Sequence, residues 1–206
     1  MRPNDDKSAG LMRALVAGQH DALNELMVLW EGSLLGFIFR YVQNEATARD
    51  LVQETFVRVY LHRERFRADS TFSAWIFTIA ANLCRNQYRW FGRHPTVSLD
   101  ELTADKATRH EKLVCPRCAP DLLAQKNERI EALQVAISEL SHELRTTLLL
   151  FEYEGLSYRE IASIVGCSEK GVESRLVRAR VSLRRKLSRF FEAGQLEEPS
   201  LMPQRG

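Results

Sequence analysis

The spacing of apolar residues constrains the fold of this chain more than any other feature. Along most of its length, apolar side chains recur at intervals of three and four residues, which is the period of an α-helix, and alternating strand-like runs are absent. The pattern therefore predicts an all-α fold. The predicted helices lie around Leu11–Leu15, from about Asp21, over Asp50–Tyr60, over Phe72–Trp90 after a cap at Asp69 and Ser70, and from Ile130 to about Phe191.

The helical pattern lapses over residues 96–127, a stretch that follows Pro95, contains Pro116 and Pro120, and shows no sustained periodicity. It predicts a flexible linker between two helical domains, one over residues 9–95 and one over 128–191. Residues 192–206, rich in Glu, Pro and Gly, are expected to form a disordered tail. The turn between the first two long helices is expected at residues 44–47.

Composition excludes several classes of protein. No apolar run approaches the ~18 residues of a membrane span, and the polar N-terminus does not resemble a secretory signal. We therefore expect a cytoplasmic protein without membrane insertion. The chain has no phosphate loop, nucleophile elbow or zinc-protease motif, so a catalytic role is not expected.

The sign of the charge changes along the second domain. Residues 128–156 hold two Lys or Arg against six Asp or Glu, a net charge of −4, whereas residues 157–191 hold nine against three, a net charge of +6. A basic stripe of this density is typical of a surface that meets phosphates, although a solvated helix face would have the same composition.

The segment Gly155 to Leu187 carries the strongest motif, GLSYREIASIVGCSEKGVESRLVRARVSLRRKL. Ser157 and Glu160 form an S-x-x-E capping box, which predicts a helix from Tyr158. Ala162, Gly166 and Val172 supply a small contact residue, a turn residue and an apolar anchor, the arrangement of a helix-turn-helix. A plain two-helix packing unit is the alternative.

The second helix of this motif has two different faces. The predicted buried stripe consists of Val172, Leu176, Ala179, Leu183 and Leu187. Lys170, Ser174 and Arg178 point the opposite way, where a recognition helix meets base edges in the major groove. Glu173 and Arg175 flank this face, and Arg180, Arg184, Arg185 and Lys186 lie further along, where they suit phosphates.

A second constellation lies in FRADSTFSAWIFTIAANLCRNQYRW, from Phe66 to Trp90. Aromatic rings beside amides and guanidinium groups are what unstacked bases require. An ordinary aromatic core beside a solvated polar stripe would look the same, and residue chemistry does not decide between the two. The aromatic residues are Phe66, Phe72 and Trp75, and the polar stripe is Asn82, Arg85, Asn86 and Arg89.

These motifs, in this order, resemble the extracytoplasmic-function group of bacterial sigma factors. The similar segments are AxDLVQETFVRVY from Ala48, FRADSTFSAWIFTIAANLCRN from Phe66, and the stretch from Leu140 to Arg180, which ends in the helix-turn-helix. The resemblance implies two conserved helical domains that bind core RNA polymerase and promoter DNA, for a stress or envelope regulon. It also implies that an anti-sigma protein is a candidate partner.

The resemblance implies a role for each domain. The helix carrying Asp50, Gln53, Glu54 and Arg58 would dock on the clamp helices of the polymerase largest subunit. The loop from Phe66 to Phe72, with Ser70, would capture a flipped base of the minus-ten element, assisted by the aromatic and polar residues named above. The helix-turn-helix would read the duplex minus-thirty-five element. Its candidate DNA contacts are Arg159, Ser168, Lys170, Glu173, Ser174, Arg175 and Arg178.

Three positions depart from the usual pattern of the family. This chain has Ser141 where the family frequently has Pro, and Asn86 where Asp is common. It has Glu173 where Lys or Arg is frequent. These departures affect the expected promoter sequence and leave the expected fold unchanged. A helix-turn-helix regulator that binds DNA without polymerase is the rival interpretation, but it would leave the segment from Phe66 to Trp90 without a role.

The linker contains one C-x-x-C pair, Cys115 and Cys118. Such a pair can supply two zinc ligands or form a reversible disulfide, and it can equally be two incidental thiols. The chain has no second C-x-x-C pair, and His94 and His110 are only loosely placed as further ligands. No cofactor is therefore required, and a zinc or redox role of the pair stays an open alternative. Cys84 and Cys167 lie in apolar helical patterns and are expected to be small core residues.

Overall fold

The periodicity of the sequence produces helices throughout the part of the chain that the computed structural model describes, which is residues 3–67, 71–93 and 120–192. Within those ranges there are eight α-helices, one short 3₁₀ helix and no strand, so the predicted all-α class is confirmed. The elements are α1 (Pro3–Val16), α2 (Asp21–Val42), α3 (Glu45–Leu61), a 3₁₀ helix (Arg63–Arg65), α4 (Phe72–Arg93), α5 (Pro120–Ser138), α6 (His142–Glu152), α7 (Tyr158–Val165) and α8 (Glu169–Glu192).

The first domain is a bundle of α1 to α4 around an aromatic core. The Trp30 ring lies with its centroid 5.5 Å from that of Phe72 and 6.2 Å from that of Phe77, and Phe77 meets Phe37 edge-on at 5.4 Å. All four side chains are buried, so α2 and α4 pack face to face. The bundle fixes the direction in which α3 and α4 present their outer faces.

Helix α2 is long and apolar enough to be a candidate membrane span by length and composition alone. A core helix of a folded protein meets the same criteria. Here Leu26, Trp30, Leu34 and Phe37 are buried against the neighbouring helices, so α2 is the central helix of the first domain.

The start of α3 differs slightly from the expected turn over residues 44–47. Asn44 has extended backbone angles, and its side chain accepts a hydrogen bond of 2.9 Å from the Thr47 amide. Asn44 is therefore the N-cap, and α3 begins at Glu45 because the capping side chain satisfies an amide of the first turn. Just before it, Gln43 adopts a left-handed conformation with φ 57° and ends α2.

The expected cap of α4, Asp69 and Ser70, lies outside the described residues, but two described side chains accept hydrogen bonds from amides in the first turn of the helix. Thr71 Oγ1 accepts a hydrogen bond of 3.4 Å from the Ala74 amide. Asp5 Oδ1 of α1 accepts one of 2.8 Å from the Ser73 amide. One cap is therefore local and the other comes from a distant helix.

The second domain consists of α5 to α8, and α5 begins earlier than the periodicity indicates. Its first residue is Pro120, ten positions before Ile130, so the last part of the predicted linker is helical. Proline suits the first position of a helix because its φ is already helical and no amide partner is needed there. Residues 94–119, which include Cys115 and Cys118, lie outside the described residues, as does the tail beyond Glu192.

The two domains pack against each other, with α2 and α4 of the first meeting α5, α6 and α7 of the second. Arg145 of α6 is the centre of this contact. It is 3% exposed and lies 4.8 Å from the Tyr41 ring centroid and 5.3 Å from that of Tyr88. Its guanidinium donates to the carbonyl oxygens of Tyr41 at 3.0 Å and Leu140 at 3.2 Å, which ties α2 to the turn between α5 and α6.

Candidate nucleic-acid and polymerase interface

The turn of the helix-turn-helix forms as the sequence predicts. Ser157 Oγ accepts from the Glu160 amide at 3.3 Å, and the Ser157 amide donates to the Glu160 carboxylate at 2.8 Å, so the predicted capping box is confirmed. Gly166 ends α7 with φ 65°, a left-handed conformation that favours glycine. Ala162 and Val172 are buried, as expected for the contact between the two helices.

Helix α8 is fixed by its cap and by its apolar stripe. Ser168 Oγ accepts a hydrogen bond of 3.1 Å from the Gly171 amide, so this candidate DNA contact also serves as the N-cap. Val172, Leu176 and Ala179 are buried and Leu183 packs against the core, in agreement with the predicted stripe. The stripe determines which residues of α8 face outward.

The outward residues form a surface that we call the reading face. Four of the predicted DNA-binding residues, Lys170, Glu173, Ser174 and Arg178, are exposed on it. Val177 and Val181 share it, at 54% and 64% exposure, and sequence reasoning missed them. Their positions three and seven residues after Ser174 were the available signal, and an apolar side chain there suits the methyl group of thymine. The reading face consists of Lys170, Glu173, Ser174, Val177, Arg178, Val181, Arg184 and Arg185.

Other basic residues of α8 face the acidic helices of the same domain. Arg180 lies 2.9 Å from the Glu152 carboxylate, and Lys186 is paired with Glu139. We expected both cations to suit phosphates, but these two form ion pairs within the domain because the acidic segment over 128–156 packs alongside α8. The change of charge sign along the sequence thus reflects contact within the domain as well as an outward basic surface.

Arg175 differs from its predicted neighbours on α8. Its side chain is only 15% exposed and lies 3.8 Å from the Glu143 carboxylate, and its buried Nη1 atom has no hydrogen-bond partner among the described residues. In this arrangement Arg175 faces α6, so the structure does not bring it onto the reading face. Arg159 is exposed in the first turn of α7, on the helix that crosses the DNA backbone in such motifs.

The three aromatic residues predicted to capture a base are brought together. The Phe66 centroid lies 5.9 Å from that of Phe72 and 5.4 Å from that of Trp75, and Phe72 and Trp75 are 6.0 Å apart. Phe72 is fully buried, whereas Phe66 and Trp75 are partly exposed. Phe72 is therefore part of the core, and the rings of Phe66 and Trp75 are the ones that a base could reach. We call Phe66, Phe72 and Trp75 the aromatic cluster. Ser70 lies outside the described residues.

The predicted polar stripe follows the outer side of α4. Arg85, Asn86 and Arg89 are exposed, and Asn82 is half-buried. Arg85 Nη2 donates to Asn82 Oδ1 at 2.6 Å, which orients both side chains. The stripe therefore exists as predicted, on the helix whose start carries the aromatic cluster.

The predicted polymerase-binding residues share the outer face of α3. Asp50 and Gln53 are exposed, and Glu54 accepts a hydrogen bond of 2.7 Å from Arg58 one turn later. Val57 and Leu61, at 49% and 64% exposure, extend the same face at helical spacing and were missed from the sequence. We call this surface the docking face, and it consists of Asp50, Gln53, Glu54, Val57, Arg58 and Leu61.

Burial controls the electrostatics between the domains. It lowers the pKa of His142 to about 4, with a further decrease from the positive charge of Arg85. It raises the pKa of the Tyr41 hydroxyl well above its usual range. Burial also raises the pKa of the Cys84 thiol, which is therefore an inert core residue, as expected.

No group of three potential metal ligands occurs among the described residues. The linker cysteines lie outside them, so their zinc or redox role stays a prediction from the sequence. Cys167 is half-buried and packs against the edge of the core, so it is less buried than the expected core residue.

Two protein-family models match the chain. Sigma-70 region 2 matches residues 27–91, and Sigma-70, region 4 matches residues 130–183. The first range covers the docking face and the aromatic cluster, and the second covers most of the helix-turn-helix domain. The matched ranges therefore contain the docking face, the aromatic cluster and most of the reading face, of which Arg184 and Arg185 lie just beyond residue 183.

The chain is also similar to known proteins over most of its length. It is 33% identical over 175 residues to the RNA polymerase sigma-H factor of Pseudomonas aeruginosa, which covers 84% of this chain and 90% of that protein. It is 32% identical over 178 residues to the ECF RNA polymerase sigma-E factor of Escherichia coli K12, with 86% and 92% covered.

Two solved structures share the fold. The sigma factor RpoE from Bartonella quintana, in complex with the anti-sigma factor NepR, is 27% identical with a TM-score of 0.60, covering 80% of this chain and 96% of that one. CnrH in complex with the cytosolic domain of CnrY is 25% identical with a TM-score of 0.63, covering 90% and 97%.

Proposed function

Because the chain belongs to the extracytoplasmic-function group of bacterial sigma factors, which direct promoter recognition by RNA polymerase, we propose which of its surfaces perform each step. The docking face of α3 binds the polymerase core. The aromatic cluster and the polar stripe of α4 bind the melted minus-ten element, and the reading face of α8 binds the duplex minus-thirty-five element. The polymerase carries out the chemistry, and this chain supplies binding energy alone.

The observation that carries this proposal is the separation of buried and exposed sides on α8. Val172, Leu176 and Ala179 hold the helix against its domain, while Lys170 and Arg178 stand on the opposite, exposed side. A helix that served only for packing would not need a face of this composition. Arg and Lys at the start of such a helix can donate to guanine edges in the major groove.

Strand opening is favoured by surfaces that bind only the unstacked base. Removing a base from the stack costs a few kcal/mol. Stacking on Phe66 or Trp75, together with hydrogen bonds from Asn82 and Asn86, would offset that cost only once the strand is open. Binding energy from the duplex-reading domain brings the aromatic cluster to the correct position through the linker.

The packed arrangement of the two domains must open before both elements are bound. The minus-ten and minus-thirty-five elements lie about 25 base pairs apart, which is roughly 85 Å of duplex at about 3.4 Å per base pair. In the packed arrangement α4 and α7 are in direct contact, so their DNA surfaces cannot span that distance. Polymerase binding to the docking face therefore accompanies separation of α2 and α4 from α6 and α7.

The partners and location follow from the family. The similar sigma factor RpoE is bound to the anti-sigma factor NepR in its solved structure, which supports an anti-sigma partner for this chain too. A cytoplasmic location matches that of core polymerase, and a stress or envelope regulon matches the group to which the relatives belong. We also propose that the polymerase-binding domain includes α1, which packs against α2 and α4 ahead of the predicted boundary at residue 9.

The test is co-elution of the purified chain with bacterial core RNA polymerase on size-exclusion chromatography. Asp50→Arg/Glu54→Arg reverses the charge of the docking face and should abolish co-elution. Asp6→Arg/Glu25→Arg makes the same change of charge at exposed positions on α1 and α2 and should co-elute like the wild type. Glu25 forms an exposed ion pair with Lys7 at 3.4 Å, and losing such a pair costs little stability.

The same experiment separates the proposal from its rival. If the wild type fails to co-elute with polymerase and binds duplex DNA tightly by itself, the chain acts as a stand-alone regulator. If both double variants lose co-elution equally, the docking face is not the binding surface.

A further inference from the structure

A buried carboxylate links the N-terminal helix to the start of α4. Asp5 of α1 is 2% exposed, although aspartate is rarely buried unless it is paired. Its Oδ1 accepts from the Ser73 amide at 2.8 Å, and its Oδ2 accepts from the Ser73 hydroxyl at 3.0 Å. These two hydrogen bonds offset the loss of hydration and join residues 68 positions apart.

The position of Ser73 makes this contact relevant to the aromatic cluster. Ser73 is the second residue of α4 and lies between Phe72 and Trp75, both members of the cluster. An acidic side chain that accepts from an amide in the first turn holds that turn through a charge-assisted hydrogen bond and a favourable interaction with the helix dipole. Asp5 therefore fixes where α4 begins.

A second polar contact from α1 reaches the same cluster. Ser8 Oγ, also buried, accepts a hydrogen bond of 2.9 Å from Trp30 Nε1 and donates one of 2.6 Å to the Asn4 carbonyl oxygen. The Trp30 ring packs on Phe72. Helix α1 thus holds the cluster from two directions, and it lies before residue 27, where the matched family model begins.

We propose that Asp5 is a positioning residue for base capture. By fixing the first turn of α4, it sets the distance and angle between the exposed rings of Phe66 and Trp75. This inference rests on the proposed role of the aromatic cluster in binding the minus-ten element. Asp5 touches no DNA, and its effect passes through Ser73.

The test uses holoenzyme assembled from the full chain and core polymerase. The probe is a promoter duplex that the wild-type holoenzyme selects from a library randomised in the minus-ten element, with 2-aminopurine next to the captured base, whose identity is then varied. Two quantities are measured, the extent of strand opening and the ratio of opening between the preferred base and the three others. A smaller folded fraction lowers opening on all probes equally, so the ratio reports positioning and is insensitive to folding.

The variants form a graded series. Asp5→Ala removes both hydrogen bonds and should reduce strand opening and base discrimination by roughly tenfold, within the range of about 2- to 30-fold for losing a helix cap. Ser73→Ala removes the hydroxyl contact alone and should have a smaller effect. Asp5→Asn keeps an acceptor for the Ser73 amide and should restore most of the discrimination. Asp6→Ala changes the exposed neighbouring acid and should behave as the wild type.

The outcomes are distinguishable. Retained discrimination in both Asp5→Ala and Ser73→Ala would overturn the inference and leave the proposed function intact. A uniform loss on every probe, with an unchanged ratio, would also overturn it, because Asp5 would then act on stability alone. If the wild-type holoenzyme selects no promoter, the proposed function fails and this inference with it.

Discussion

The Tyr41 hydroxyl of α2 lies 2.6 Å from His142 Nδ1 of α6, and the two residues are 101 positions apart in the chain. The hydroxyl donates to Nδ1 when the imidazole is neutral with its proton on Nε2. Their rings also meet edge-on, with centroids 5.7 Å apart. The contact joins the two domains through a group whose charge depends on pH.

Acidification should favour separation of the domains. The pKa of His142 is lowered to about 4 in the packed arrangement and returns towards its ordinary value of about 6.5 when the side chain is exposed. Between these values the separated form binds a proton that the packed form does not, so the stability of the packed form falls as the pH falls from about 6.5 to about 4. Above about 6.5 it should be constant.

The measurement is the distance between fluorophores, one on each domain, at about pH 7.5 and about pH 5. His142→Gln should remove the pH-dependent part of the change. An equal distance at both pH values in the wild type would contradict the prediction. Besides Tyr41, the charged groups that influence His142 are Arg85 of α4, Glu143 and Arg145 of α6, and Arg175 of α8.

Arg145→Ala should loosen the domain contact and lower the free energy of unfolding. It leaves the carbonyl oxygens of Tyr41 and Leu140 without their donor, at a cost of about 1–3 kcal/mol. Chemical denaturation measures this loss. Arg49→Ala is the control, because Arg49 is exposed and its ion pair with Glu45, at 2.6 Å, lies within α3.

The same variant should bind polymerase at least as tightly as the wild type. If polymerase requires the separated form, a mutation that populates this form removes part of the cost of binding. A fluorescence titration with core polymerase checks this. Weaker binding of Arg145→Ala than of the wild type would contradict the proposal that the domains separate.

Arg178 and Arg180 offer a matched pair on α8. Arg178→Ala should weaken promoter binding by roughly 5- to 150-fold if it contacts a base edge, and should change the sequence preference. Arg180→Ala should leave the preference unchanged, because that side chain is held by Glu152 at 2.9 Å. Binding of holoenzyme to promoter variants measures both, and equal changes in preference would contradict the assignment of the two faces.

Leu61→Ser should weaken polymerase binding without destabilising the chain. Leu61 is 64% exposed at the end of the docking face, so its apolar surface is buried only when a partner covers it. We expect a loss of roughly tenfold, about the effect of removing one well-buried apolar anchor. Val135→Ser changes a side chain of similar exposure, 57%, on α5 and should leave polymerase affinity unchanged.

Local patterns in the sequence predicted the local structure well. The capping box of Ser157 and Glu160, the turn at Gly166 and the buried stripe from Val172 all depend on residues within one or two turns of each other. Such features are determined by backbone hydrogen bonds and helical periodicity, so a single sequence suffices to predict them.

Contacts between distant segments were not predictable in the same way. Nothing local in the sequence indicated that Asp5, 68 positions away, accepts a hydrogen bond from the Ser73 amide in the first turn of α4. The blocks of acidic and basic residues were visible in the sequence. Which cations of α8 form ion pairs with which carboxylates depends on the helices that pack next to α8. The burial of Arg145 between two tyrosines likewise required the packing of the two domains.

The ion pairs of Arg180 and Lys186 with their own domain also affect how the chain responds to salt. A protein releases one condensed counterion from DNA for each phosphate that it neutralises, and its affinity falls with salt concentration accordingly. Cations already neutralised by Glu152 and Glu139 contribute little to this release. Much of the positive charge of α8 is therefore paired within the domain. Its affinity for DNA depends less on ionic strength than its number of Lys and Arg residues indicates.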